Sequence, residues 1–588
     1  MVLAMGLTLG LFVGALAVAS AQSQSSVTFN LPSGQGAAGA YFPWVPYGSE
    51  LNGMGPFYGA VTVQNLEDEP RDLFFFPGVG SNSDAYGAPY IVANVQRNAS
   101  VTVNAGSLGL PQPGGSVRVH SFPVGTGYDS DDQEITVTGI VYDDWSDDDT
   151  DVFQEGQIFL GSVAGTVKNV SPLPSQSAKT SAAHITVDGY SGMTAAQLAD
   201  DNNQHILPIV QTNTGWNTML RIASFGAEND PNAAVSYTVT LYESGGQGAA
   251  GPSSGTFTGQ IRGGGVATID ILADPAIDEE WVGNAFITAN VPIGAVAERY
   301  KSETDMLLTN VSRPVWMAQS TQVAPLVFQN YNNWNSGISV ANLEDNPVTV
   351  NIAYITPGGS QVGADQVTIP SRGMEFVYKP ASQDLSVNEF VGAAVLSATG
   401  AIHVAVDQVK YDGVGSDIGD AMSYVTDSEF ATLESNKCKK MVMDFASHSS
   451  NGCKYANNVL ALPLVQKGNP ATGLGDTSGI QFFNADPQQN VQFAVTFFDP
   501  TGNEVAPTLT VPITFNLSGH QGVTVYTHNY SEMPAGFQGS LVAEVTSGGG
   551  SLSAVSNNVN YAVQADGAAV FNLVNPDETL FFDIFNRR

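Results

Sequence analysis

Residues 329–354 read QNYNNWNSGISVANLEDNPVTVNIAY, and much of that phrase is written again elsewhere in the chain. Trp334 leads into Ile338 and Val340, which alternate with Ser339 and Ala341. A polar turn, Asn342-Leu-Glu-Asp-Asn-Pro347, follows, and then Val348, Val350, Ile352 and Tyr354 alternate with small or polar residues. Period-two alternation across a Pro/Asn/Asp turn is the pattern of an antiparallel strand pair with one buried face. Near the N-terminus, Phe57-Tyr-Gly-Ala-Val-Thr-Val-Gln-Asn-Leu-Glu-Asp-Glu-Pro70 repeats Asn-Leu-Glu-Asp, again with a Pro two places on. Trp216 to Ser224 matches Trp334 to Asn342 closely, and Ile480-Gln-Phe-Phe-Asn-Ala is a degraded fourth version. A second landmark, aromatic-x-Gly before a strand, recurs at Trp281, Phe390 and Phe537, with an approximate form at Phe153. Two landmarks in fixed order make an internal repeat.

The expected fold is all-β, a tandem array of about four β-sandwich modules, preceded by a short hydrophobic N-terminal helix. The expected boundaries are 1–21 for the hydrophobic helix, 22–40 for a lead-in and 41–170 for the first module. A linker, 171–204, follows, then modules over 205–315 and 316–427, a cysteine-containing flap over 428–455, and a last module over 456–588. Thr194 is read as the cap of one short helical turn. The aromatics Phe57, Trp216 and Trp334 are read as capping or filling the core of their own sandwiches.

The 588 residues exceed a single core. Charged residues are 13%, and 20 Lys+Arg against 55 Asp+Glu leave a net charge of −35. A nucleic-acid partner is not expected, because phosphate binding needs a basic face. An anionic bilayer is excluded as an electrostatic partner for the same reason, so membrane contact is expected only through residues 1–21. That segment carries no charge, and Ala19-Ser20-Ala21 matches a signal-cleavage pattern, but a basic start is missing. A cleaved secretion signal and a retained helix both fit. Either places the protein outside the cytoplasm, at the cell surface.

Site chemistry is sparse. Asp129, Asp131, Asp143, Asp147, Asp149 and Asp151 crowd two loop ends, read either as a solvated acidic rim or as a calcium clip, one that lacks the glycine and glutamate of an EF-hand. Cys438 and Cys453 are an even pair in an otherwise cysteine-free chain, read as one disulfide across a flap turned by Asn451-Gly452. Lys437, Lys439, Lys440 and Lys454 make a basic island there, read either as solubilising or as a docking knob for an acidic neighbour. Gly251-Pro-Ser-Ser-Gly255 matches a nucleophile motif without the strand–turn–helix that the motif requires. His403 lies in an apolar strand and is read as a core residue. Asn98, Asn169, Asn310, Asn516 and Asn529 open glycosylation sequons.

Val323-Ala-Pro-Leu-Val, Trp334 to Asn342 and Leu462-Pro-Leu-Val together resemble β-sandwich repeats of large bacterial cell-surface proteins. The resemblance implies surface display and no activity. If the N-terminal helix is retained the plan also resembles pilin subunits, though no early Glu is present. The expected function is therefore an extracellular structural protein, a self-assembling subunit of a filament, pilus, sheath or S-layer-type lattice, without a cofactor other than calcium. The alternative is a secreted adhesin or carbohydrate-binding protein using Trp44, Trp145 and Trp281. No enzyme is expected.

Overall fold

The computed structural model describes residues 25–30, 39–78, 87–130, 134–140, 157–159, 163–171, 186–198, 203–225, 234–244, 253–275, 277–378, 385–411, 419–426, 430–432, 441–444, 449–453, 458–468, 476–505, 513–560, 567–575 and 581–583. Nearly all of it is strand, arranged in several antiparallel sheets. The hydrophobic segment 1–21 lies outside these residues. Among the described residues no helix is long and apolar enough to cross a membrane.

One pairing scheme recurs. Over residues 204–311 the strands are Gln204–Gln211, Asn217–Ser224, Val235–Glu243, Ser253–Ile261, Val266–Asp270, Val282–Ala289, Ile293–Lys301 and Met306–Val311. Counted along the stretch, one sheet has the order fourth–third–sixth–first and the other fifth–second–seventh–eighth. Leu207, Ile222, Val239, Ile269, Ile287 and Ala295 face one another between the two sheets as a single buried cluster. The same two orders appear over residues 40–191, 319–425 and 459–572. In the third of these copies the sixth and seventh strands are one 22-residue strand, Phe390–Tyr411, whose first part pairs with the first and third strands and whose last part pairs with the second and eighth.

The repeated phrases now have physical causes. Asn342 closes the turn after the second strand: its Nδ2 donates to the carbonyls of Asn346 and Pro370, both at 2.8 Å, and its Oδ1 accepts from the Glu344 amide at 2.8 Å. Asn65 and Asn484 make the same set, to Glu69, Val95 and Glu67 and to Gln489, Leu517 and Asp486. A buried amide so satisfied replaces missing ladder bonds at the sheet end. The x-Pro-x of each first strand is a β-bulge: the register slips between Phe42 and Val45, Leu207 and Val210, Ala324 and Val327, and Leu462 and Val465. Proline tolerates that place because a bulge leaves a backbone N–H outside the ladder. In the aromatic-x-Gly phrase the ring lies across the glycine. A Cβ on Gly392 would stand 2.1 Å from the Ile355 carbonyl and 2.7 Å from the Phe390 ring.

Several expectations are corrected. Phe153 lies outside the described residues, and the position corresponding to Gly392 in the first copy is Gly115, paired with Val45 as Gly392 is with Val327. The segment read as a linker holds Thr186–Ser191, the eighth strand of the first copy, and Met193–Thr194, which pairs with the first strand. Thr186–Ser191 is low in apolar content yet buried, its small and polar side chains enclosed at a crowded centre. Thr194 does begin a helical turn, Ala195–Leu198, capped reciprocally with Gln197. In the lead-in, Ser25–Asn30 pairs with Glu134–Ile140.

The copies do not string out as beads. Their eighth strands Thr186–Ser191, Met306–Val311, Gly419–Val425 and Ala568–Asn572 pack in a closed circuit, each against the next and the last against the first. All but one residue of these four strands is buried. At this centre Tyr190 donates to the Trp44 carbonyl at 2.6 Å and Tyr424 to that of Leu326 at 2.7 Å, at corresponding places in the first and third copies. Burial pushes both phenols far up from their ordinary range, so each stays a neutral donor.

Candidate functional site

Closure creates four joints, and the repeat's leading aromatic sits at three of them. Phe57 clusters with Tyr300 and Leu307 of the second copy. Trp216 clusters with Val409 and Ala421 of the third. Trp334 belongs to a cluster that includes Val559 and Val570 of the fourth. The fourth copy has Asp476 at this position, and it pairs with Lys168 of the first copy at 2.8 Å. Trp334 thus packs with its own copy's core as well as the next copy, whereas Phe57 and Trp216 cluster apart from their own cores, which corrects the core reading for those two. Side chains at the start of the second strand project past the sheet end, where the next copy begins.

The first two joints are also crossed by charged groups of the seventh strand. Glu298 accepts from Trp44 Nε1 at 3.0 Å and from Arg221 Nε at 2.8 Å. The Arg221 guanidinium lies 4.2 Å from the Trp44 ring centroid, a buried cation–π contact. Asp407 takes both ends of the Arg299 guanidinium, at 2.6 and 2.5 Å, and Arg299 is fully buried. Asp188, enclosed beside Thr309, has its carboxyl pushed well above the usual range by burial, with the nearby Glu298 adding to the rise.

Two joints are filled by protein side chains and two are open. Between the fourth and first copies lies a groove of about 570 Å3, spanned by Lys168, whose Nζ reaches Gln466 Oε1 at 3.0 Å as well as Asp476. Between the third and fourth copies lies a groove of about 470 Å3 lined by Phe328, Tyr331, Trp334, Gln481, Tyr526 and Asn557. The two are counterparts in register: Leu464 and Leu326, Gln466 and Phe328, Asp476 and Trp334, and Lys168 and Asn557 hold matching places.

The wall of the second groove is set by local sequence. Asn330, Asn332 and Asn333 have φ of 51°, 50° and 67°, the left-handed region that asparagine tolerates better than most residues. The tight loop they form exchanges backbone bonds between Tyr331 and Trp334, at 3.2 and 2.9 Å. It lays the Tyr331 ring parallel to Phe328, 5° apart in plane and 6.0 Å between centroids. Trp334 continues the row at 6.2 Å from Phe328. Opposite, Gln481 accepts from the Thr524 hydroxyl. Gly479 lies close under Asn557: a Cβ there would stand 2.5 Å from Asn557 Oδ1, so that side chain would have to shift.

The sites expected from sequence fall elsewhere. Asp129 ends the strand Gly127–Asp129, while Asp131, Asp143, Asp147, Asp149 and Asp151 lie outside the described residues. Cys453 ends a strand that pairs with Met441–Asp444, and Cys438, Lys437, Lys439, Lys440 and Lys454 also lie outside. Among the described residues no group of three or more His, Cys, Asp or Glu is placed to hold a metal ion. Trp44 and Trp281 are buried, so the expectation that they form a binding surface is corrected; Trp145 lies outside the described residues. His403 is buried, donates from Nε2 to the Pro314 carbonyl at 3.1 Å, and is held down to about 4 by desolvation. Asn169 and Asn310 are each 1% exposed, so their sequons are closed to modification in the folded chain.

No protein-family model matches the chain, and no curated protein matches it. Among solved structures, Thermotoga maritima 1070 is similar over 18% of this chain and 93% of its own, at 10% identity and TM-score 0.16. A serine-rich repeat protein from Streptococcus agalactiae is similar over 50% of this chain and 89% of its own, at 6% identity and TM-score 0.10. Neither likeness carries an argument.

Proposed function

We propose that this chain is four copies of one eight-stranded sandwich fused into a single block, and that the block is an extracellular structural subunit. It assembles with further copies of itself into a sheath or lattice at the cell surface. The observation that carries the reading is the closed circuit of eighth strands, which gives the block a rigid shared centre. The fourth-strand positions support the assembly step. Tyr90–Val95, Ser253–Ile261, Gln361–Ile369 and Ile513–Leu517 are all sheet edges, and Gln361–Ile369 alternates exposed with half-buried residues. Such edges are templates for pairing with another chain. A net charge of −35 suits an exterior surface where salt and divalent cations screen self-repulsion. A closed block fits a lattice or sheath better than a filament of extended rods.

The test is negative-stain microscopy with analytical ultracentrifugation of the secreted protein at rising ionic strength. Ordered arrays of uniform blocks are the expected outcome. A 61.6 kDa monomer that stays monodisperse throughout, with no ordered particles, overturns the proposal.

A further inference from the structure

The groove between the third and fourth copies has a lining unlike the other three joints. At the first joint the matching space holds Leu51, Phe57 and Leu307, and at the second it holds Trp216, Met306 and Leu308. At the joint that closes the circuit the Lys168–Asp476 ion pair bridges the walls. Here, by contrast, a row of aromatic faces stands across open space from carboxamides.

We propose that this groove is a binding site for a short neutral oligosaccharide. The apolar C–H faces of a pyranose pack against aromatic rings, and Phe328, Tyr331 and Trp334 form a stepped row of them. Tyr331 keeps 38% of its surface exposed, so its ring is available to a ligand. Sugar hydroxyls both donate and accept, and so do carboxamides; Asn332, Asn529 and Asn557 supply them around the groove. No carboxylate lines it, and its single cation, Lys410, is paired with Asp420 at 3.3 Å. A cationic ligand therefore finds no carboxylate in the groove's lining, and a polyanion meets the repulsion of a chain carrying −35. A volume of about 470 Å3 is that of a small-ligand site. The Asn330–Asn333 turn fixes Tyr331 before any ligand arrives, so little ordering entropy opposes binding. The site stands whether or not the blocks polymerise.

The experiment is isothermal titration of the full chain with maltotriose, cellotriose and chitotriose, with trigalacturonate as the charged comparator. It is repeated on Tyr331→Ala, and thermal melting is recorded for both proteins. At least one neutral trisaccharide is expected to bind with a Kd of roughly 1 mM or tighter. Tyr331→Ala is expected to weaken that binding roughly tenfold while leaving the melting temperature unchanged. Absence of binding by all three neutral probes overturns the proposal. So does equal or tighter binding of trigalacturonate, or affinity that Tyr331→Ala leaves intact.

Discussion

Replacing Asp407 with Asn tests the joint between the second and third copies at a single atom. The parent site is a closed polar network. Arg299 Nη1 and Nη2 donate to the two Asp407 oxygens at 2.6 and 2.5 Å, and Nη2 also reaches Asn310 Oδ1 at 2.6 Å. Ser423 Oγ donates to Asp407 Oδ1 at 2.6 Å and accepts from Asn310 Nδ2 at 2.7 Å. Arg299 has no exposed surface, so water cannot replace a lost partner. Asn at 407 keeps the shape but leaves the guanidinium charge uncompensated and turns an NH2 toward another donor. Breaking a buried pair in this way costs roughly 3–5 kcal/mol, most of it the penalty on the charge left behind. Urea unfolding followed by tryptophan fluorescence and circular dichroism measures the loss. Pairing Asp407→Leu with Arg299→Met removes both charges, and the double variant is expected to recover most of the stability. If Asp407→Asn lies within about 1 kcal/mol of the parent, or the double variant is no better than the single, the joint is not a buried ion pair and the reasoning fails.

Trp216→Ala empties the apolar cluster at the same joint and is expected to cost roughly 3–5 kcal/mol in urea unfolding, while Trp316→Ala, 51% exposed, stays within about 0.5 kcal/mol. Gly392→Ala drives a methyl into the Ile355 carbonyl at 2.1 Å and is expected to lower the melting temperature sharply, as a surface Gly53→Ala change is not, since its Cβ meets nothing and only its positive φ opposes it. His403 gives a pH signature. Its folded value of about 4 lies below the ordinary 6.5, so the unfolded chain binds the extra proton between those limits. Stability from this group is full above pH 6.5, falls as pH drops toward 4 and is then level, a loss of about 3 kcal/mol. Unfolding curves across that window, compared with His403→Gln, isolate it. Asp188 has the opposite sign: its raised value means stability falls as pH climbs through it, and Asp188→Asn is expected to hold or raise stability at pH 8.

Much of the strand architecture was legible because alternation and turn residues are local signals. Asn342, Pro325 and Gly392 each act within a few residues of the strand they shape or the sheet end they close, so their recurrence could be read as repetition. The purpose of Trp334 could not be read. Its position is fixed by its own strand, but its neighbours include Val559 and Val570 of the next copy. Only the comparison with Phe57, Trp216 and Asp476 in space reveals a joint residue that changes character from one joint to the next. The eighth strand of the first copy was missed because Thr186–Ser191 is polar and small, a composition that usually marks a linker. Those side chains are buried by closure, a long-range fact with no local trace. The groove was missed for the same reason, since its walls come from residues more than a hundred positions apart.

Closure of the first copy on the fourth is the claim on which the rest depends, and a designed cross-link tests it. Gln538 Nε2 donates to Thr102 Oγ1 at 3.1 Å across that joint, on the exposed side. With Cys438 and Cys453 replaced by Ser, the Thr102→Cys/Gln538→Cys variant is oxidised and run on a denaturing gel without reductant. The account expects a monomer of altered mobility that reductant restores, with 436 residues spanned by the bridge. Formation of disulfide-linked dimers alone, or of no cross-link, would contradict it.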